Sequence, residues 1–300
     1  MKKTLSLVLA LAMCLSLAAC GNNGAQDQSS QSGSNTSASD VSSGSQQGDN
    51  SSVDAADSDW AKIESNGTMK IGITYFEPMN YFDDNGELTG FETEFATAVC
   101  EKLGVTPEFV EINWDSKIME LQAQTIDCIW NGMTITPELQ EALTISDPYI
   151  KNYQVVVIRS DNADVYTSTA DLVGKTVEAE AGSAGEAAII GEGADESLKQ
   201  AEYISAAKQT DTLLEVKTGA AAAAVLDFVL AGAMVGQGDY SDLMIIPDLQ
   251  LSVEEYGVGF RKDSDAAEKV NEAMQALIED GTLNTLAEKY DLAELLLANQ

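Results

Sequence analysis

Hydrophobic and polar positions change period repeatedly along residues 60–300. Met69–Thr74 reads as a short strand, and Asp83-Asp84-Asn85-Gly86 after it as a turn. Over Glu92–Leu103 the apolar residues Phe95, Ala96, Val99 and Leu103 fall on one helical face, with Gly104 placed to end the helix. Pro107–Ile112 predicts a strand, Asp115–Gln124 a helix and Ile126–Trp130 a buried strand. Thr136-Pro137 has the form of an N-cap followed by Pro at the first helical position. Tyr153–Ile158 is again strand-like. A second series follows: strands at Thr176–Ala179, near Tyr203, at Ala221–Leu226 and at Leu243–Ile246, with helices from Ser183, over Gln209–Thr218 and from Phe228. Glu255–Phe260 predicts one more strand, and helices over 264–280 and 282–297 close the chain.

Alternating strands and helices imply parallel sheets covered by helices. Two such series, joined by extended crossings near 153–158 and 255–260, predict an α/β architecture of two lobes with a cleft between them. The expected division is 60–155 plus 256–300 for lobe 1 and 156–255 for lobe 2.

The first 59 residues follow neither period. Met1-Lys2-Lys3 is a basic start, and Leu5–Ala19 is mostly apolar but short of the roughly 20 residues that span a bilayer, as in a secretory signal. Residues 21–59 contain 12 Ser, five Gly and five Gln without an aromatic. Such a stretch buries too little apolar surface to offset its ordering entropy, so a disordered tether is expected. No second apolar span follows, which places the remainder outside the cell.

Charge and composition then remove whole classes of function. The chain carries 16 Lys+Arg against 49 Asp+Glu, a net −33, and has no His. An acidic surface of this kind argues against nucleic acid, whose binding needs a basic footprint. Absence of His removes the Ser-His-Asp and Cys-His mechanisms and His-ligated zinc. Cys100 falls on a helical pattern and Cys128 on a strand, without a C-x-x-C, so two buried free thiols are expected. No metal or cofactor is called for.

Leu17-Ala18-Ala19-Cys20-Gly21 resembles the lipobox of bacterial lipoproteins, in which the Cys (here Cys20) is diacylated and becomes the first residue after cleavage. Two acyl chains anchor stably where one does not. Gly86-Glu87-Leu88-Thr89-Gly90-Phe91-Glu92-Thr93-Glu94 resembles the G-x-L-x-G-F-[DE]-x-[DE] block of the polar amino-acid-binding receptors of ABC importers, solute-binding family 3. Ile126–Ile129, Met133–Thr136, Ile145–Tyr149 and Asp171–Val177 with Gly182-Ser183 are similar to further blocks of that family, in the same order and spacing.

The resemblance implies a periplasmic-binding-protein-like fold of type II: two parallel-type sheets hinged by two crossing strands, closing on a ligand. It implies a monomer that hands an amino acid or related amine to ABC permease and ATPase subunits, touching the membrane through its lipid anchor alone. A ligand sensor without a permease, or an enzyme, uses the same fold. Turnover is not expected, because closure on a ligand requires no chemical step.

Carried over position by position, the resemblance places Phe76 as the aromatic covering the ligand, or else as a core residue. It places Asn131, Gly132 and Thr134 on a loop that offers a carbonyl, an N–H and a hydroxyl. Ser183 with Glu186 reads as a capping box, or as the edge of a ligand-anion site. Asp227 would pair with the ligand's ammonium, or cap the next helix. Glu77 and Glu180 fall at or beside ligand-lining positions that usually carry a small, apolar or amide residue. Lys117 falls where a side chain packs on the ligand, or is simply solvated. The family's T-x-x-R, whose Arg clamps the α-carboxylate, is here Thr136-Pro137-Glu138-Leu139. Arg159 and Arg261 both lie beside the expected hinge strands and offer no obvious substitute, so either the ligand has no α-carboxylate or another group holds it, with Lys117 the candidate. An acidic cleft with one Lys favours cations.

Overall fold

The computed structural model describes residues 58–300. The expected signal and tether, with Cys20, lie outside the described residues up to residue 57. The folded part begins earlier than its composition suggests. Helix α1 spans Asp59–Asn66, with the Ser58 side chain capping it at the Ala61 N–H. Asp59 therefore belongs to the folded body and not to the tether, and its carboxylate lies 2.8 Å from the Arg261 guanidinium.

The first sheet contains β1 (Thr68–Ile73), β4 (Thr106–Glu111), β5 (Cys128–Ile129), β6 (Leu143–Ile145) and β12 (Gly259–Arg261), in the order β4-β1-β5-β12-β6. A hairpin, β2 (Tyr81–Phe82) and β3 (Leu88–Thr89), stands between β1 and α2 (Phe91–Leu103). Helix α3 (Lys117–Gln122) and α4 (Pro137–Ala142) flank β5 in sequence. The second sheet has the order β11-β7-β10-β8-β9, built from β7 (Ile150–Arg159), β8 (Thr176–Glu180), β9 (Glu202–Ala206), β10 (Ala223–Asp227) and β11 (Leu243–Tyr256). Helices α5 (Ala184–Ile190), α6 (Gln209–Thr218) and α7 (Phe228–Met234) connect them. Helices α8 (Ala266–Glu279) and α9 (Thr282–Lys289) follow β12.

Both sheets are mixed rather than parallel throughout. Strands joined by helices run parallel, β1 with β4 and β5 and β8 with β9 and β10. Strands adjoining the crossings run antiparallel, β12 to β5 and β6 and β7 to β10 and β11. A strand arriving from the other lobe enters without a helical crossover, so nothing constrains it to the parallel direction.

The first crossing also lies earlier than expected. Residues 153–158 sit inside the second sheet, and the chain passes between lobes near 146–150. There Ser146 N–H donates to Val258 O at 2.9 Å and its hydroxyl accepts from Val258 N–H at 2.9 Å. Tyr149 N–H donates to Tyr256 O at 3.1 Å. The two crossings thus run side by side as one hydrogen-bonded ribbon.

Behind this ribbon an aromatic cluster fixes lobe 1. Phe95 meets Trp130 edge-on at 5.2 Å and Tyr149 at 5.4 Å, and all three are buried. Such pairs add about 0.5–1.5 kcal/mol each beyond the area they bury. Helix α2 enters through Gly90 at φ +121, where a Cβ would stand 2.2 Å from Met79 O. No larger residue fits there. Cys100 and Cys128 are both buried and free, and burial pushes the Cys100 thiol up to about 12.

Candidate functional site

Strand β7 holds the carboxylates of the site in place. It lies between β10 and β11, and alternation puts Asn152 and Gln154 on one face of it. Asp227, the last residue of β10, stands opposite Gln154, and Glu254 on β11 stands opposite Asn152. All four side chains are buried. Asp227 Oδ1 accepts from Asn152 Nδ2 at 2.7 Å and Gln154 Nε2 at 2.5 Å, and Oδ2 accepts from Gln209 Nε2. Glu254 Oε2 accepts from the same two amides, each at 3.1 Å, and from Thr134 Oγ1 at 2.9 Å. Neutral amides thus bridge two buried carboxylates. Burial, then the neighbouring Glu254, pushes the Asp227 carboxyl up to about 6. Asp227 does not cap α7 with its side chain.

A cavity of about 290 Å³ opens beside Asp227 and Gln209. Lobe 1 contributes Lys117, Asn131, Gly132, Thr134 and Leu139, and lobe 2 contributes Glu180, Ser183, Gln209 and Asp227. Glu180 is 3% exposed and its Oε1 has no hydrogen-bond partner. Burial and then the charge on Asp227 push its carboxyl up to about 8.

Lys117 is buried, not solvated. Its Nζ donates to Trp114 O at 3.2 Å and, across the cleft, to Gly182 O at 2.8 Å, and it lies 4.6 Å from the centre of the Trp114 ring. Desolvation lowers its pKa, against the charges of Glu180, Asp115 and Glu186. Ser183 caps α5 at the Glu186 N–H, and Glu186 reaches back to the Gly182 N–H at 2.8 Å.

The loop after β5 is held from behind. Asn131 Oδ1 accepts from Thr74 N–H and Asn80 Nδ2, both at 2.9 Å, and its amide donates to Thr74 Oγ1 at 2.7 Å. The Gly132 N–H donates to Glu92 at 2.8 Å, and Tyr149 Oη donates to the same carboxylate. Burial is the main force raising the Glu92 carboxyl to about 7. The N–H and hydroxyl of this loop are thus engaged within the protein, by Glu92 and Glu254. Gly132 adopts φ +55, and a Cβ there would lie 3.0 Å from the tip of the Phe76 ring.

Phe76 is buried against Gly132 and does not line the cavity. Glu77 is exposed and borders a separate cavity with Phe228 and Tyr290. Neither arginine reaches the site. Arg159 pairs with Asp161, and Arg261 binds Asp59 and the carbonyls of Leu121 and Ile126. Sequence reasoning missed Asn152, Gln154, Gln209, Glu254 and the anchoring role of Glu92. Asn152 and Gln154 carried a signal, being two amides at i and i+2 in a strand otherwise rich in Val and Ile.

Residues 69–293 match the bacterial extracellular solute-binding proteins, family 3. The chain belongs to this family. It is 27% identical over 221 residues, 73% of this chain and 84% of its relative, to the arginine-binding extracellular protein ArtP of Bacillus subtilis. It is similar in structure to an ABC uptake transporter substrate-binding protein from Streptococcus pneumoniae with bound histidine. There the TM-score is 0.72 at 30% identity, covering 81% of this chain and 99% of that one. It is also similar to the ancestral amino acid-binding protein AncCDT-1, a precursor of cyclohexadienyl dehydratase, with TM-score 0.70 and 31% identity over 78% of this chain and 99% of that one. Members of the family are extracellular solute receptors of two-lobed α/β architecture.

Proposed function

We propose that this chain is the lipid-anchored receptor of an ABC importer, which closes its two lobes on a cationic amino acid or related amine and delivers it to permease and ATPase subunits. Asp227, Glu180, Ser183 and Thr134 would face the ligand directly, with Lys117, Asn131 and Gly132 shaping the cavity around it. Phe76 would press the loop from behind through Gly132. The observation that carries this reading is a set of buried carboxylates: Asp227 and Glu254, whose hydrogen-bond donors are neutral, and Glu180, whose Oε1 has no partner. A ligand cation supplies the missing charge, and contact with both lobes favours the closed form. The arginine-binding relative fits this class. Diacylation at Cys20 would tie the receptor to the membrane.

Calorimetry across amino acids and amines tests the ligand class: cations should bind, and neutral or acidic amino acids should bind at least tenfold more weakly. Cys20→Ala tests the anchor, through the mass of the mature protein and its partition to membranes. Unchanged mass and partition in the variant would remove the lipid from the proposal.

A further inference from the structure

We propose that Lys117 binds the α-carboxylate of an amino-acid ligand, and that the same ammonium ties this contact to the opposite lobe through the Gly182 carbonyl. The proposal rests on the reading of the interlobe cavity as the ligand site, though not on which side chain the ligand carries.

Lys117 is 7% exposed, opens α3 on lobe 1 and is the one basic side chain lining the cavity among the described residues. Its two hydrogen-bond partners, Trp114 O and Gly182 O, are neutral. An ammonium has three N–H groups, so one remains for a ligand. Burying a charge against neutral partners is costly, and desolvation accordingly lowers the Lys117 pKa. A carboxylate against the third N–H would offset that cost through a charge-assisted bond. The Trp114 ring, its centre 4.6 Å from Nζ, holds the ammonium in place before a ligand arrives.

Two hydroxyls complete the set of donors. Thr136 Oγ1 accepts from the Leu139 N–H and Ser183 Oγ from the Glu186 N–H, which leaves each O–H free to donate. Both line the cavity with Lys117, and Asp227 and Glu180 line it as acceptors. One cavity thus offers donors for a carboxylate and acceptors for an ammonium, the pairing that a zwitterion needs.

The Gly182 contact makes the same lysine a link between lobes. Gly182 follows β8 and adopts φ +69, where a Cβ would stand 3.0 Å from Asp115 Oδ1 on lobe 1. Without one, its carbonyl comes within 2.8 Å of Lys117 Nζ. A carboxylate held by Lys117 would therefore be tied to both lobes through one ammonium, which favours the closed form.

The test is calorimetry of the purified protein with three amino acids and their decarboxylated forms: arginine and agmatine, lysine and 1,5-diaminopentane, leucine and 3-methylbutylamine. In whichever pair binds, wild type should prefer the amino acid by about tenfold or more. Lys117→Met should shrink that preference to about twofold or less, and Lys117→Arg should keep most of it. The ratio within a pair is insensitive to a general loss of folding or closure, which weakens both members alike. An unchanged preference in Lys117→Met would overturn the proposal, as would a wild type that binds amine and amino acid equally. Small-angle scattering with the tightest-binding amino acid reads the link to Gly182: the radius of gyration should fall less in Lys117→Met than in wild type. An equal fall would overturn that link. Preference for leucine over arginine and lysine would overturn the cationic ligand class, and the leucine pair would then decide the role of Lys117 by the same ratio.

Discussion

Gln154 and Asp227 stand directly opposite each other on β7 and β10, with Gln154 Nε2 2.5 Å from Asp227 Oδ1. The register of the sheet, not a loop, positions the carboxylate, so its placement is as rigid as the strands. An amide satisfies a lone pair without neutralising a charge, and Asn152 and Gln209 do the same. The site is thereby organised for a cation before one arrives. Asp227→Asn should weaken cation binding by about 2–5 kcal/mol, as when one member of a buried charge pair is lost. Calorimetry reads the change, and a variant within twofold of wild type would place Asp227 outside the binding site.

Protonation gives the same carboxylates a pH signature. Burial raises Glu180 from 4.5 to about 8, Glu92 from 4.5 to about 7 and Asp227 from 3.8 to about 6. Groups raised on folding bind more protons folded than unfolded, so their stabilising share is complete below the unfolded values and is lost as pH rises through the folded ones. The ligand-free melting temperature should fall between about pH 5 and 8. Cation affinity should rise over the same interval, with proton release on binding near pH 7 that calorimetry in buffers of different ionisation enthalpy detects. A flat affinity profile would mean that Glu180 and Asp227 do not face the ligand.

The lobes are also fastened at the rim. Lys208 Nζ lies 2.7 Å from Glu111 across the cleft and 5.5 Å from the Tyr75 ring centre. Lys208 precedes Gln209, the residue that binds Asp227, so rim and cavity report on the same closure. The pair is solvent-exposed and worth about 0–1 kcal/mol. Lys208→Gln should therefore weaken binding no more than about fivefold and reduce its salt dependence. A loss much larger than this would show the rim contact to be essential for closure.

At the N-terminus the Asp59–Arg261 contact joins α1 to β12. Arg261 also donates to the Leu121 and Ile126 carbonyls, and its side chain is 15% exposed. Removing it leaves Asp59 and two carbonyls short of a donor, so Arg261→Ala should destabilise by about 2–4 kcal/mol. Urea unfolding measures this, and ligand affinity should hardly move because the contact is remote from the cavity.

The elements legible in the sequence are those whose signals are local. Gln209–Thr218 has its expected bounds, and Gly104 ends α2 in the left-handed conformation. Helix α1 was hidden because Asp59 shares the polar composition of the stretch before it, while its partner Arg261 is 202 residues away. Strand β11 was legible only at its ends: Pro247 and Asp248, the latter at φ +60, accompany a shift of register between Ile245 and Gln250. The final helix stops at Lys289 rather than 297, and Tyr290 turns its hydroxyl to Glu94 instead. The cavity shows the same division. Asp227 and Glu180 end strands and could be read from pattern and resemblance. Glu254 and Glu92 act through cross-strand and cross-loop hydrogen bonds spanning 100 and 40 residues, which no local period encodes.

Leu139 offers the sharpest test of charge balance in the cavity. Its backbone N–H caps on Thr136 Oγ1 at 3.2 Å, so the position is fixed by the first turn of α4, and its side chain is only partly buried. An Arg there could extend into the cavity without displacing a core residue. Its guanidinium would face Asp227 and Glu180 in place of a ligand ammonium, so Leu139→Arg should weaken amine binding at least tenfold. The same group would supply the bidentate partner that a carboxylate lacks in the wild type. Affinity for ordinary α-amino acids should therefore appear or increase, since Asp227 remains in position to receive their ammonium. A thermal-shift comparison of wild type and Leu139→Arg across amines and amino acids reads both changes at once. If the substitution lowers affinity for amines and amino acids alike, the guanidinium has neutralised the carboxylates without reaching the ligand. If it alters neither, Leu139 lies too far from the ligand to set its class, and the wild-type preference must come from Glu180 and Asp227 alone.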